Sequence, residues 1–336
     1  MWTAKSSEKD FLEFSHNGHL EMSPPGLVAS RAGIMYLLVA ELMSQWLIAS
    51  KENEGFDREA LHFEITKSFI GDSTLDGIGT EPLPLIDSIL ALGFAALEDD
   101  KGQSNKLSDV DFHQYLQRLS LLSANTPSSN LRFNAHLLTT ATLHAHPSQQ
   151  TRYNFIRDTL QHCPYETLKV SAVGWLKDEI LAAASPKESD HAPERNGDSK
   201  QNLTPTQEDS NLFSKPATLL AISPLVFPSA ALRALDDVPA FLVQVPFFLA
   251  SLNLLYLLCS SARLKKQLVV SHMIDVRGLD ADFVMPLVHL SSKFKQALHG
   301  EDGGEGDAGA ALADIELLED TLRRVRRAAF PALAGE

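Results

Sequence analysis

Large apolar residues recur every three or four positions through most of the chain, and β-branched runs bounded by turn residues, the usual strand signal, are scarce. This pattern predicts an all-α protein. A long apolar helix is expected over 27–50, carrying Tyr36, Leu37, Leu38, Leu42, Trp46 and Leu47, followed by helices over 57–69 and 83–97. Over 109–122 the residues Phe112, Tyr115, Leu116, Leu119 and Leu122 fall on one helical face. After the turn Asn125-Thr126-Pro127-Ser128, a second stripe runs through Leu131, Ala135, Leu138 and Thr142. His146-Pro147 ends it, because a proline ring disfavours helical backbone in the residue before it. Ser148 then reads as the N-cap of a helix over 149–160, its hydroxyl satisfying a free amide of the first turn. Cys163-Pro164 breaks the chain again, and a helix over 165–184 follows, with Leu168, Ala172, Leu176 and Ile180 at four-residue steps and Val173 beside them.

Between residues 185 and 215 the composition shifts to Pro, Ser, Asp, Glu, Asn and Gln, with Leu203, Leu212 and Phe213 almost the only large apolar groups. Such a segment buries too little surface to offset its ordering entropy and reads as a disordered linker. Helices resume over 216–222, 238–262, 280–298 and, past a Gly/Asp/Glu stretch at 300–309, over 310–329. Helical hairpins joined by short loops suggest an α-solenoid of the HEAT or armadillo type. Self-similarity at a fixed period is missing, so the expected architecture is an irregular solenoid of antiparallel hairpins. Its parts are an N-terminal array over 1–184, the linker over 185–215 and a C-terminal helical region over 216–330. The stretch 241–259 has the length of a membrane span, but Gln244, Pro246, Ser251 and Asn253 interrupt it, so it reads as a buried core helix.

A formal net charge of −14 and a pI near 5.3 give a field that repels nucleic acids and anionic lipid, so neither is expected as a direct partner. The one basic cluster, Arg323, Arg324, Arg326 and Arg327, follows Glu319 and Asp320 at the spacing of helical ion pairs. It reads as a solvated helix end or as an import or docking signal. Two cysteines, Cys163 and Cys259, far apart in apolar or helical surroundings, argue for a reducing compartment, cytoplasmic with nuclear access also open. The first ten residues have no apolar core of a secretory signal, so export is not expected.

No phosphate loop, strand-flanked GxGxxG, GxSxG elbow, HExxH pair or kinase signature occurs, so no enzyme class and no cofactor is indicated. The glycines at 71, 77 and 79 lack the strand and lysine of a nucleotide loop. His136, His144, His146 and His162 cluster near Cys163, a set chemically compatible with zinc. The spacing of a closed zinc site is absent, however, and histidines at helix ends serve equally well to bond free carbonyls. Cys163 would be a redox-active thiol if His162 or Lys169 lowered its pKa, and an inert thiol otherwise. Thr126-Pro127, Ser185-Pro186 and Thr204-Pro205 are possible phosphorylation sites, the last two the more accessible.

The block over 123–180, with its pieces NLRFNAH, LHAHPS, RYNFIRDTLQHCP and LKVSAVGWLKDEI, resembles the fungal Yap-binding protein family, which is grouped with animal glomulin and its plant relative. The resemblance implies a cytosolic helical scaffold that binds an AP-1-like basic-zipper transcription factor and supports its activation under peroxide stress. Relatives in the wider group imply two alternatives, a regulator of the RING subunit of cullin-type ubiquitin ligases and a kinetochore-associated scaffold. Within the block, Arg132, His136, His144, His146, Arg157, His162, Cys163, Trp175 and Lys177 are the candidate protein-binding or corner-forming residues. The same residues also suit a packed helical core with ordinary charged faces.

Overall fold

A computed structural model describes residues 21–22, 27–28, 31–48, 58–71, 77–99, 107–185, 211–229, 232, 235–300 and 307–330. Among the described residues the regular structure is helical apart from one two-residue antiparallel pair, β1 (Glu21–Met22) with β2 (Leu27–Val28), where the sequence pattern predicted helix from residue 27. The chain divides into two compact units, Met1–Arg152 and Tyr153–Glu336.

The first unit contains α1 (Arg31–Ile48), α2 (Arg58–Phe69), α3 (Leu83–Asp99), α4 (Asp109–Asn125) and α5 (Ser129–Ala145). It ends within α6 (Gln149–His162). Its principal helix pairs are α1 with α3, α2 with α3 and α4, and α5 with α3 and α4. Each helix thus packs on the next or next-but-one, the local order of a helical array. The predicted stripes do the packing: Phe112, Tyr115, Leu116, Leu119 and Leu122 of α4 and Leu131, Ala135, Leu138 and Thr142 of α5 are all buried.

A polar group ties three consecutive helices inside this core. His62 of α2 is buried, and its Nε2–H donates to the carbonyl of Ile89 on α3 at 2.8 Å. A carbonyl can only accept, so Nδ1 is the bare nitrogen and accepts from the Tyr115 hydroxyl of α4 at 2.5 Å. Burial pushes His62 down to about 4 against the attraction of that carbonyl, and it pushes the Tyr115 hydroxyl up, so both stay neutral.

The second unit holds the rest of α6, then α7 (Glu166–Ala184), a 3-10 turn (Leu212–Ser214), α8 (Pro216–Val226), α9 (Val238–Ser260), α10 (Ala262–Gln267) and α11 (Val270–Arg277). A π-helical turn (Asp280–Val284) leads into α12 (Met285–Gly300), and α13 (Asp307–Ala329) closes the described chain. Here the order is not that of an array. α9 packs against α7, α10 and α13, helices from before and after it in sequence. It is long and apolar enough to cross a membrane by length and composition. Its aromatic residues join a protein core: Phe241 stands 4.9 Å from Phe294 and Phe248 6.5 Å from Phe283, which also lies 5.4 Å from Phe227 at the end of α8.

Three expectations shift. The compact units divide within α6 rather than at the polar segment, because α7, expected in the N-terminal array, packs on α9. The polar segment ends earlier than residue 215: Phe213 is buried beside Tyr153, and the Asn211 side chain caps the 3-10 turn. Residues 186–210, with Thr204-Pro205, lie outside the described residues. Finally, α11 was not anticipated; it lies between two residues in the left-handed region, Val269 at φ 48° and Gly278 at φ 56°.

The His62 geometry predicts an acid-sensitive fold. The folded state holds this imidazole below its ordinary value of 6.5, at about 4, so stability is full above about pH 6.5 and falls as pH drops towards 4. The loss approaches roughly 3 kcal/mol from this group alone. Urea unfolding between pH 7.5 and 4.5 should show a His62→Gln variant that is less stable at neutral pH but loses less on acidification than the parent. Equal slopes for the two would refute the assignment.

Candidate functional site

The block over 123–180 folds as helices joined by three-residue corners, each with proline in the middle. At the α4–α5 corner, Thr126 adopts φ −60° and ψ 130°, the extended backbone that Pro127 imposes on its neighbour. Its amide closes α4 on the Leu122 carbonyl, and the Ser128 hydroxyl caps α5 by accepting from the Leu131 amide at 3.5 Å. Arg132, one turn further on, reaches back and donates to the carbonyls of Thr126 and Pro127 at 2.8 and 3.0 Å. The loop before α3 locks this corner from outside. Asn125 donates to the Ile78 carbonyl at 3.1 Å, and a Cβ on Gly79 would lie 2.9 Å from the backbone nitrogen of Thr126. With φ at +97°, position 79 therefore requires glycine on two counts. Glu81 holds the same loop by accepting from the amides of Gly71 and Gly79 at 2.6 and 2.7 Å.

The α5–α6 corner repeats this device. His146 takes φ −65° and ψ 128° before Pro147, and the Ser148 hydroxyl accepts from the Thr151 amide at 3.2 Å. Arg152 donates to the His146 carbonyl as Arg132 does to that of Thr126. The His146 ring is buried, lies 4.2 Å from Phe112, and accepts from the Ser148 amide through Nδ1 at 3.2 Å. Thr/His-Pro-Ser followed by Arg four residues after the serine is therefore a repeated unit. A search for whole-repeat similarity misses it because the helices between the corners do not match.

The third corner, Cys163-Pro164-Tyr165, lacks two of these parts. Tyr165 makes no side-chain cap, and Lys169, in the arginine's place, pairs with Glu166 at 2.8 Å. Cys163 donates weakly to the Tyr165 carbonyl at 3.9 Å. Burial raises its thiol pKa, outweighing that contact and Lys169, so the activating shift a redox thiol needs is absent. The Cys259 thiol is pushed up to about 11, also by burial.

The remaining candidates are dispersed. His136 is half-buried on α5, its pKa lowered by burial, while His144 lies in the last turn of α5 and His162 is exposed at the end of α6. Among the described residues no three His, Cys, Asp or Glu side chains converge on a metal-sized site. Arg157 is held by Asp158 at 2.8 Å and sits 6.0 Å from the Tyr153 ring centre, and Lys177 pairs with Asp178 at 3.4 Å. Trp175, 1% exposed and 5.7 Å from Phe155, is a core residue and unavailable to a partner. In the arginine cluster, Asp320 pairs with Arg324 at 3.2 Å as the spacing suggests, but Glu319 bonds Lys295 of α12 at 2.9 Å instead.

What the rigid corners present to solvent is a feature the candidate set did not contain. Phe133 and Leu137, four residues apart on α5, are 60% and 41% exposed. α5 carries no acidic residue, so Phe133 and Leu137 form an apolar pair on a helix without carboxylates, in a chain of net charge −14. A protein partner is the chemistry such a strip suits, since aromatic and aliphatic anchors supply most interface energy.

A model of the family described as "Uncharacterised protein family, YAP/Alf4/glomulin" matches residues 28–321. No curated protein matches the chain.

Two outcomes are expected from this geometry. Arg152→Met should cost about 1.5–3 kcal/mol in urea unfolding, the scale of a charge-assisted hydrogen bond; a change within error would show that the corner does not need it. Cys163 should alkylate at pH 7.4 no faster than a free cysteine, and a rate ten times higher would contradict the raised pKa.

Proposed function

The chain belongs to the YAP/Alf4/glomulin family, and from that premise we propose that it is a non-catalytic helical adaptor that binds an AP-1-like basic-zipper transcription factor in the cytoplasm and supports the response to peroxide. An adaptor role in protein–protein interaction follows from the family. The observation that carries the placement is the Phe133–Leu137 strip on α5, held by two proline corners with arginine clamps. A surface fixed before binding loses little ordering entropy on association, which favours affinity. The net charge of −14 supports a basic partner, because it accelerates encounter with a positively charged segment. The raised Cys163 pKa supports a response to peroxide that arises in the partner rather than in this thiol.

Affinity capture of the tagged protein from its own cells, with and without brief peroxide, should recover a basic-zipper factor. Phe133→Asp with Leu137→Asp should reduce that recovery at least tenfold while leaving thermal unfolding within a few degrees, since neither side chain belongs to the buried core. Recovery of RING or cullin subunits with no such factor would replace this reading with the ligase-regulator one. Undiminished recovery by the double variant would move the surface elsewhere.

A further inference from the structure

Three helix ends in the second unit carry cations that make no ion pair among the described residues: Arg263, Lys265 and Lys266 of α10, Arg277 of α11, and Arg326 and Arg327 of α13. They are scattered along the sequence, and the fold gathers them. A cavity of about 400 Å³ takes Lys265 from α10, Ile274 from α11, Gly278 and Leu279 just beyond it, and Ala329 and Phe330 from the end of α13. Arg277 directly precedes Gly278, and Arg326 lies one turn before Phe330, whose amide donates to its carbonyl at 2.9 Å.

The helix dipole explains why each cation sits in a last turn, where the negative end favours it. It does not explain why three basic ends converge, an arrangement that costs mutual repulsion unless an anion offsets it. Elsewhere in this unit the chain supplies the acid itself. Lys295 has Glu316 and Glu319 at 3.4 and 2.9 Å, and Arg324 has Asp320 at 3.2 Å. Around the cavity Asp275 and Asp280 are present but pair with none of these cations. Arg277 and Arg326 are half-buried, each with an enclosed Nε that has no acceptor. Enclosing that nitrogen fixes the arginine's stem, so its terminal N–H groups lose little freedom when an anion binds.

We infer that this basic face docks an acidic peptide segment of a partner protein. Its carboxylates sit on the arginines and lysines, and an apolar side chain enters the cavity against Ile274, Leu279 and Phe330. Arginine suits carboxylates because its fork of donors matches their two oxygens. A nucleic acid or an anionic membrane extends far enough to meet the repulsion of the net charge of −14, whereas a short peptide senses chiefly the charges within about 8 Å, the screening length at physiological salt. The apolar lining also matches a peptide side chain and no part of a phosphate backbone. This surface goes beyond the α5 strip and has the opposite preference, acid rather than base.

Fluorescence anisotropy of the full chain with a labelled peptide of four glutamates around one phenylalanine tests the face, with the glutamine version of the peptide as the neutral control. The glutamate peptide should saturate one site, bind at least tenfold more tightly than the control, and weaken as salt is raised. Lys265→Glu with Lys266→Glu, both exposed, should lose at least tenfold with unchanged circular dichroism, and so should Arg326→Gln with Arg327→Gln. Asp275→Asn, which removes an exposed negative charge beside the cavity, should tighten binding several-fold, a gain that damage to the fold cannot produce. Equal binding of the two peptides, no saturation at about 1 mM, or indifference to the lysine pair would overturn the inference. So would a short DNA duplex or vesicles of anionic lipid that bind this face more tightly than the glutamate peptide. No transcription factor enters these measurements, so they succeed or fail independently of the adaptor reading.

Discussion

A proline between two helices removes the helical option from the residue before it, and the corners of the 123–180 block depend on that restriction. Thr126 and His146 are both driven into extended backbone, and both are buried there, so each corner exposes carbonyls that helix cannot satisfy. The protein answers with the same two parts each time, a serine hydroxyl capping the following amides and an arginine returning to the upstream carbonyl. Because the bonds are made by residues already inside the next helix, forming that helix and fixing the corner are one event. The third corner, with tyrosine and lysine in those places, has neither bond.

The two compact units use different physics to bury their apolar surface. In the first, helices pack on near neighbours in sequence, and the neutral His62 bridges α2, α3 and α4 without placing a charge in the core. In the second, the long apolar helix α9 buries one side against helices from before and after it in sequence, while Val243 and Tyr256 stay exposed. Phenylalanines at 227, 241, 248, 283 and 294 gather around it, a core that only long-range contacts can assemble.

The groups that looked most reactive are occupied structurally. His146 is stacked on Phe112 and bonded to its own corner, Trp175 is enclosed with Phe155, and both thiols are raised by burial. Phe133 and Leu137 on α5 stay exposed between the two proline corners, and the proposed adaptor role rests on them. A fixed apolar face on an acidic protein is the combination an adaptor uses: the charge brings partners near, and the face provides the contact.

Most helices were determined by the local pattern, since a stripe of apolar residues at 3.6-residue spacing can be buried only as a helix; α4, α5 and α7 bury the stripes predicted for them. Proline and capping residues likewise placed the breaks at 126–128, 146–148 and 163–165, because their effects act over a few bonds. The family was legible in the same block. Tertiary structure alone decided that α7 joins α9, that Phe213 is buried and that Glu319 serves Lys295 rather than an arginine, because each choice depends on residues distant in sequence. It also decided that Phe133 and Leu137 face solvent, since an apolar pair on a helix becomes a surface only where no neighbouring helix covers it. The roles of Arg132 and Arg152 lay between these cases: the spacing was present in the sequence, but its meaning appeared only once the corner gave each arginine a carbonyl to reach.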